Sequence, residues 1–158
     1  MKNILLVAGL LAGPASMEPH STALPRRDYS RDPRLARLKA YFHRCQCPAG
    51  ELSAEFLSAA DDNGLDWRLL PSISVVESSG GKNYMNNNIF GWDSCKRRFP
   101  TVSDGIHHVA RQLSHSPTYK HKSLDRKLRT YNCVGNYSAR VRRVMRNLGP
   151  DGAELASR

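Results

Sequence analysis

Glu77 is the residue of this sequence whose position best suits acid catalysis. It follows the apolar residues Ile73, Val75 and Val76 and directly precedes Ser78-Ser79-Gly80-Gly81, which would end a helix. An apolar setting disfavours the charged carboxylate, and the negative end of a helix macrodipole acts in the same direction. A carboxyl group that keeps its proton near neutral pH can give it to the leaving oxygen of a glycosidic bond. Position alone, however, favours a plain helix-end glutamate that faces water.

Three ordered motifs change that balance. Val75-Val76-Glu77-Ser78-Ser79-Gly80 resembles the catalytic Glu-Ser motif of lytic transglycosylases, in which the acid ends a buried helix. Asn87-Asn88-Ile89-Phe90-Gly91-Trp92 is similar to the Asn-Asn-hydrophobic-Phe-Gly stretch of bacterial glucosaminidase domains. Thr130-Tyr131-Asn132, followed by Gly135, resembles the Tyr-Asn-x-Gly motif that closes the transglycosylase cleft. Together they cover roughly residues 50 to 148, and the chain thus resembles the lysozyme-like superfamily.

This resemblance implies a role for each matching residue. Glu77 would be the general acid/base, and Tyr131 and Asn132 would reach into an active-site cleft to hold an N-acetyl group or Glu77 itself. Ser78 would orient the substrate or the loop. The motif that contains Asn88 would bind substrate, with Phe90-Gly91-Trp92 as a wall on which a sugar ring stacks. The reaction would be cleavage of β-1,4 bonds between N-acetylated sugars in peptidoglycan, without a cofactor.

A second carboxylate is harder to assign. Two-carboxylate glycosidases hold the partner about 5 to 9.5 Å from the acid. Asp93 is the only acid within a motif, whereas Asp104 is expected to cap a helix. The loop from Gly80 to Phe90 is too short for the inserted lobe that carries the second acid in glucosaminidases. Substrate assistance by the acetamide, or attack by the 6-hydroxyl to give an anhydro-sugar, therefore stays open beside direct hydrolysis.

Three functions follow from these motifs. We expect an N-acetylglucosaminidase-type hydrolase, with a lytic transglycosylase as the nearest alternative and a non-catalytic peptidoglycan-binding module as a further one. The formal net charge of +10 suits an anionic cell wall as partner. A nucleic-acid partner is disfavoured by the expected export, and a monomer is expected.

The elements that must position these residues are helices. Apolar residues recur at helical spacing along the chain, no convincing strand pattern occurs, and a mostly α fold is predicted: a small lysozyme-like helical domain. Helix faces are expected at Leu52 to Ala60, Leu69 to Val76, Ile106 to Leu113, Leu124 to Tyr131 and Val141 to Leu148.

The N-terminal region predicts export. Residues 1–15 combine Lys2, a short apolar run and small residues, as in a cleaved signal peptide. Residues 16–47 are expected to form a basic linker with a possible short helix at about 34–44, whose packing the sequence leaves open. The catalytic domain is expected at 48–149 and a loose tail at 150–158. The protein should be secreted or periplasmic, without a stable membrane anchor.

The cysteines fit an oxidising compartment. Cys45, Cys47, Cys95 and Cys133 form an even set with three possible connectivities. Because Cys95 and Cys133 each follow a motif assigned to the cleft, their pairing is favoured, which leaves Cys45 and Cys47 as a strained small ring or as free thiols. One C-x-C and two isolated cysteines do not match the usual zinc spacing, and the histidines show no ligand spacing, so no metal is expected.

Overall fold

The structure, a computed structural model, describes residues 27–151, and all regular secondary structure in this part of the chain is helical. Its six α-helices are α1 (Pro33–Arg44), α2 (Ser53–Asp62), α3 (Leu69–Ser78), α4 (Val102–His115), α5 (Leu124–Tyr131) and α6 (Tyr137–Leu148), with a 3-10 helix at Pro48–Leu52. No strand occurs within this range, so the predicted mostly α fold class is confirmed. The expected signal peptide, most of the linker's unpatterned part and most of the tail lie outside the described residues. Across residues 27–151, no helix is long and apolar enough to span a membrane.

Helix α3 runs through the middle of the core. Its residues from Leu69 to Ser74 are all buried, and it packs against α2, α4 and α6. Pro71 lies in the first turn, where backbone N–H groups have no helical partner to lose. The helix ends at Ser79, which adopts the left-handed conformation (φ +54°), while the N–H of Gly80 donates to the carbonyl of Ser74 at 3.1 Å. This cap fixes where the last turn, and with it Glu77, is presented.

Helix α1 is part of the core. Leu38 and Phe42 are fully buried, and the Phe42 ring lies 5.7 Å from that of Phe56 on α2. The helix contacts α2 and α6 as well as the 3-10 helix. Further towards the N-terminus, the Tyr29 hydroxyl donates to Asp61 at 3.1 Å. The compact unit therefore includes residues before Pro48, which the sequence analysis had assigned to a linker.

Helix α4 begins with a capping box. The Thr101 hydroxyl accepts from the N–H of Asp104, and the Asp104 carboxylate accepts from the N–H of Thr101. The predicted capping role of Asp104 is confirmed. The apolar face of α4 then packs against α2 and α3. Its buried residues include Ile106, Val109, Ala110 and Leu113.

Candidate active site

A cleft of about 810 Å³ opens at the end of α3 and brings the three motifs together. Glu77 lies on α3. A second group of lining residues lies on the loop between α3 and α4, and a third group lies at the end of α5 and directly after it. The lining consists of Glu77, Gly91, Trp92, Asp93, Ser94, Cys95, Arg97, Tyr119, Thr130, Tyr131, Asn132 and Cys133. Segments up to 56 positions apart in the sequence (77 and 133) thus form one surface.

Gly91 lets the backbone of the loop pass directly over the Glu77 carboxylate. It has a φ of +61°, and a β-carbon at this position would lie 3.1 Å from Oε2 of Glu77. A side chain would therefore press against the carboxylate and would also be strained by the left-handed backbone. The glycine of the Phe-Gly-Trp stretch therefore leaves space for the Glu77 carboxylate. The Glu77 side chain is half-buried in the cleft.

Tyr131 is the second predicted catalytic residue, and it forms part of the cleft wall beside Glu77. Its hydroxyl donates to the carbonyl of Phe90 at 2.7 Å, which ties the end of α5 to the loop that carries Gly91. Burial, together with the neighbouring Tyr137 and Glu77 groups, raises its pKa well above the ordinary tyrosine value. The Tyr131 hydroxyl thus stays neutral, and it already donates its proton in the hydrogen bond to the Phe90 carbonyl.

Tyr137 was not singled out from the sequence. It begins α6, is 2% exposed, and its ring stacks on Tyr131 with centroids 6.0 Å apart and planes at 6°. Its hydroxyl makes no hydrogen bond in the structure, although Glu77 is a close charged neighbour. Burial, and then the Glu77 carboxylate, raises the pKa of Tyr137 above its ordinary value. A neutral O–H donor with no other partner therefore stands beside the acid.

The position of Tyr137 contained a signal that sequence analysis could have used. It shares one helix face with Val141, Met145 and Leu148, all of which are buried. A tyrosine on an apolar face needs a partner for its hydroxyl, and that partner is often a functional group.

Trp92 supplies the broadest aromatic surface of the cleft. Its ring lies 5.6 Å from Tyr131, 6.1 Å from Tyr119 and 6.0 Å from His108. Such edge and tilted contacts hold the indole in place while it still lines the cleft. In the structure, the aromatic wall of the cleft consists of Trp92, Tyr119 and Tyr131. Of these, Tyr119 is a member that the sequence did not indicate.

Phe90 is absent from this wall. Its side chain is fully buried and packs edge-on against Phe56 at 6.3 Å, so only its backbone carbonyl takes part in the site. The resemblance implied that Phe90 binds substrate, whereas the structure makes its ring part of the core.

Ser78 and Asn88 also lie behind the cleft. The Ser78 hydroxyl donates to the carbonyl of Ser74 and accepts from the N–H of Gly81, both at 3.0 Å. Asn88 is 2% exposed, and its amide joins both the N–H and the carbonyl of Trp92. Neither side chain is free for a substrate. Their role is to shape the loops that present Glu77 and Trp92, which for Ser78 is one of the two expected roles.

The loop after Trp92 is strained. Asp93, Ser94 and Cys95 have φ values of +53°, +50° and +64°, and the N–H of Cys95 donates to the carbonyl of Gly91 at 3.2 Å. Residues other than glycine rarely adopt this conformation, and such strain often occurs at functional sites. The turn places Asp93 in the lining of the cleft, where it is the second carboxylate in addition to Glu77.

Asn132 and the cysteines complete the lining. The Asn132 side-chain oxygen accepts from the N–H of Val134 at 3.0 Å, so its NH₂ group remains available to a ligand. Cys95 and Cys133 are both exposed on the cleft, but all four cysteines are unbridged, and the expected Cys95–Cys133 disulfide is not formed in the structure. Between residues 27 and 151, no group of three His, Cys, Asp or Glu side chains could hold a metal ion.

Comparison of the chain with protein-family models, with curated proteins and with solved structures gives no significant match. The fold and the site define a small helical domain with one carboxylate-bearing aromatic cleft, and its function must be argued from that cleft.

Proposed function

We propose that this domain is a lysozyme-like peptidoglycan hydrolase of the N-acetylglucosaminidase type, which cleaves β-1,4 bonds between N-acetylated amino sugars. One observation carries the proposal: Glu77 ends a buried helix and lies at the meeting point of two other motif segments, within a single aromatic cleft. A carboxyl group at the side of an open, aromatic-walled cleft is what protonation of a glycosidic oxygen requires.

In this mechanism Glu77 donates its proton to the leaving oxygen and later takes one back. The Tyr137 hydroxyl, which has no other hydrogen-bond partner, donates to the Glu77 carboxylate once the proton has left. This donation stabilises the negative charge that Glu77 then carries. Tyr137 is therefore a positioning residue for Glu77.

Substrate binding rests on the walls of the cleft. A sugar ring stacks on Trp92, whose orientation is set by its contacts with Tyr119 and Tyr131. The free amide NH₂ of Asn132 donates to the carbonyl of an N-acetyl group. Both contacts match the polar and apolar faces that an N-acetylated sugar presents.

Asp93 favours hydrolysis over transglycosylation. As the second carboxylate of the lining it can activate a water molecule or stabilise positive charge on the sugar. A lytic transglycosylase is the second candidate, because the short loop between α3 and the Phe-Gly-Trp stretch carries no inserted lobe with a further acid. That reaction needs only Glu77, with the 6-hydroxyl of the sugar as nucleophile.

The proposed setting is outside the cytoplasm, as a secreted or periplasmic monomer whose partner is peptidoglycan. The net charge of +10 favours an anionic wall, and the attraction should weaken as salt is added. Neither a cofactor nor a nucleic acid enters the proposal.

The decisive experiment is mass spectrometry of the fragments that purified sacculi release. Wild type, Glu77→Gln and a matched Glu51→Gln control are compared, since Glu51 is exposed and remote from the cleft lining. We expect wild type and E51Q to release fragments with reducing N-acetylglucosamine ends, and E77Q to release none. Anhydro-muramyl ends would establish the transglycosylase instead. Binding without release by all three proteins would overturn the enzyme proposal in favour of a wall-binding module.

A further inference from the structure

A second groove, of about 420 Å³, adjoins the cleft and carries positive charge. One side is a face of α4 on which Asp104, His108 and Arg111 recur at helical spacing, and the other is the loop at Arg97 and Phe99. Arg97 lines both this groove and the cleft. The two depressions are therefore neighbours that share Arg97 in their walls.

The cations of this groove are not neutralised internally. Neither the Arg97 nor the Arg111 guanidinium is paired with a carboxylate anywhere in residues 27–151. The Asp104 carboxylate is already engaged by the N–H and hydroxyl of Thr101, at 3.0 and 2.7 Å. Two guanidinium groups thus face a groove in which the single acid is occupied by a helix cap.

The groove is also held in a defined shape. The Arg97 guanidinium lies over the Phe99 ring at 5.8 Å from its centroid, which restrains a long and otherwise mobile side chain. His108 packs between Phe99, at 5.3 Å, and Trp92 of the cleft, at 6.0 Å. Burial, and then the charges of Arg97 and Arg111, lowers the pKa of His108, so both arginines are close enough to act on one imidazole.

The glycan of a peptide-bearing strand offers these arginines no free carboxylate, because the lactyl carboxyl of each muramic acid is consumed in the amide bond to its stem. The peptide stems that branch from peptidoglycan strands do carry free carboxylates, and guanidinium groups bind carboxylates through paired, charge-assisted hydrogen bonds. We propose that the groove formed by Arg97, Phe99, His108 and Arg111 binds a carboxylate of the peptide stem, so that the enzyme acts on peptide-bearing rather than bare glycan. This inference rests on the proposed function.

Binding to sacculi that lack phosphate polymers tests the inference without relying on turnover. The Glu77→Gln protein is measured by co-sedimentation on untreated sacculi and on the same sacculi after carbodiimide coupling of methylamine has converted the stem carboxylates to neutral amides. We expect the untreated form to bind about tenfold more tightly, as one lost charge-assisted contact predicts. Arg111→Gln should abolish that difference, whereas Arg143→Gln, which removes an equal charge from an exposed position on α6, should leave it intact.

Equal binding to both materials, no binding to either, or equal weakening by R111Q and R143Q would each overturn the inference. The last result would mean that only general electrostatic attraction acts. Fragment release by the protein with Glu77 intact is scored separately, so a failure of the proposed enzyme activity is distinguishable from a failure of this groove.

Discussion

Gly91 and Glu77 are in close contact: a β-carbon added at Gly91 would lie 3.1 Å from Oε2 of Glu77. A side chain at this position therefore requires the carboxylate to shift by a few tenths of an ångström. The position of the Glu77 carboxylate therefore depends on the residue at position 91, and a substitution there tests this dependence.

Gly91→Ala should remove most glycan cleavage at a modest cost in stability. The left-handed backbone makes alanine unfavourable by about 1 kcal/mol, and the new methyl group shifts the Glu77 carboxylate from its observed position by a few tenths of an ångström. Gly64→Ala is the matched control, because Gly64 has a φ of +59° with nothing within 4 Å of an added Cβ. Urea unfolding should show similar destabilisation for both, while only G91A loses at least tenfold in fragment release. Full activity in G91A would show that Glu77 does not need its observed position.

Tyr137→Phe should separate activity from stability. The hydroxyl is buried without a partner, so its removal should cost little and can even stabilise the fold, by up to about 1 kcal/mol. Cleavage should nevertheless fall at least tenfold, because Glu77 loses its neutral donor.

Tyr131→Phe provides the contrast for that variant. It removes the 2.7 Å hydrogen bond to the Phe90 carbonyl and should destabilise the domain by about 1 kcal/mol. Thermal unfolding and sacculus digestion of the two variants are compared. Equal activity of Y137F and wild type would exclude the positioning role of Tyr137.

Much of the fold, but less of the site, could be predicted from the sequence. Helical periodicity located the segments around Ile73, Val109 and Val141. Apolar residues at this spacing share one face of a helix, and that face is the one that becomes buried. The packing of helix α1 was harder to predict, because a basic amphipathic stretch has the same sequence pattern whether it packs on the core or remains exposed.

How well each site residue could be predicted depends on how far away in the sequence its contacts lie. Glu77 could be placed because its helix and its stop are local features. Asn88 was assigned to substrate and Ser78 to substrate or to its own loop. A polar side chain beside a motif can bond to a ligand or to a backbone group of its own loop, and only the folded loop decides this. Tyr137 and Arg97 needed knowledge of which elements meet at the cleft.

A disulfide between Cys95 and Cys133 remains a prediction for the protein in an oxidising compartment. Cys95 and Cys133 are both exposed on the cleft lining, and joining them would tie the strained turn to the end of α5. Peptide mapping without reduction, on protein purified from an oxidising compartment, should recover a linked Cys95–Cys133 peptide. Cys133→Ser should then lower the free energy of unfolding by about 3 kcal/mol. A Cys45–Cys47 link alone, or four free thiols, would contradict this pairing.

Asp61 should make the domain sensitive to acid. Burial acts to raise the pKa of Asp61, but the hydrogen bonds and charge of Arg34, helped by the Tyr29 hydroxyl, outweigh it and hold that pKa below its usual value. A carboxyl group with a lowered folded pKa stabilises the protein above its unfolded pKa of about 3.9 and loses this contribution as pH falls through the folded value.

Asp61→Asn should therefore cost about 2 kcal/mol at pH 7 and flatten the loss of stability towards acid. Asp62→Asn is the control, because Asp62 is exposed and accepts only from Ser58 at 3.2 Å. Urea unfolding at pH 7 and below pH 4 measures both variants. A D61N protein that matches D62N at neutral pH would show that the Arg34 contact contributes nothing.

The contact between α1 and α6 has a consequence for the order in which the domain is built. Phe42 and Leu38 reach full burial only when later helices surround them, and α3 is enclosed only once α6 lies against it. A nascent chain that has emerged as far as α5 would therefore still expose the apolar face of α3. Synthesis must therefore pass Leu148 before all the core contacts of α3 can form.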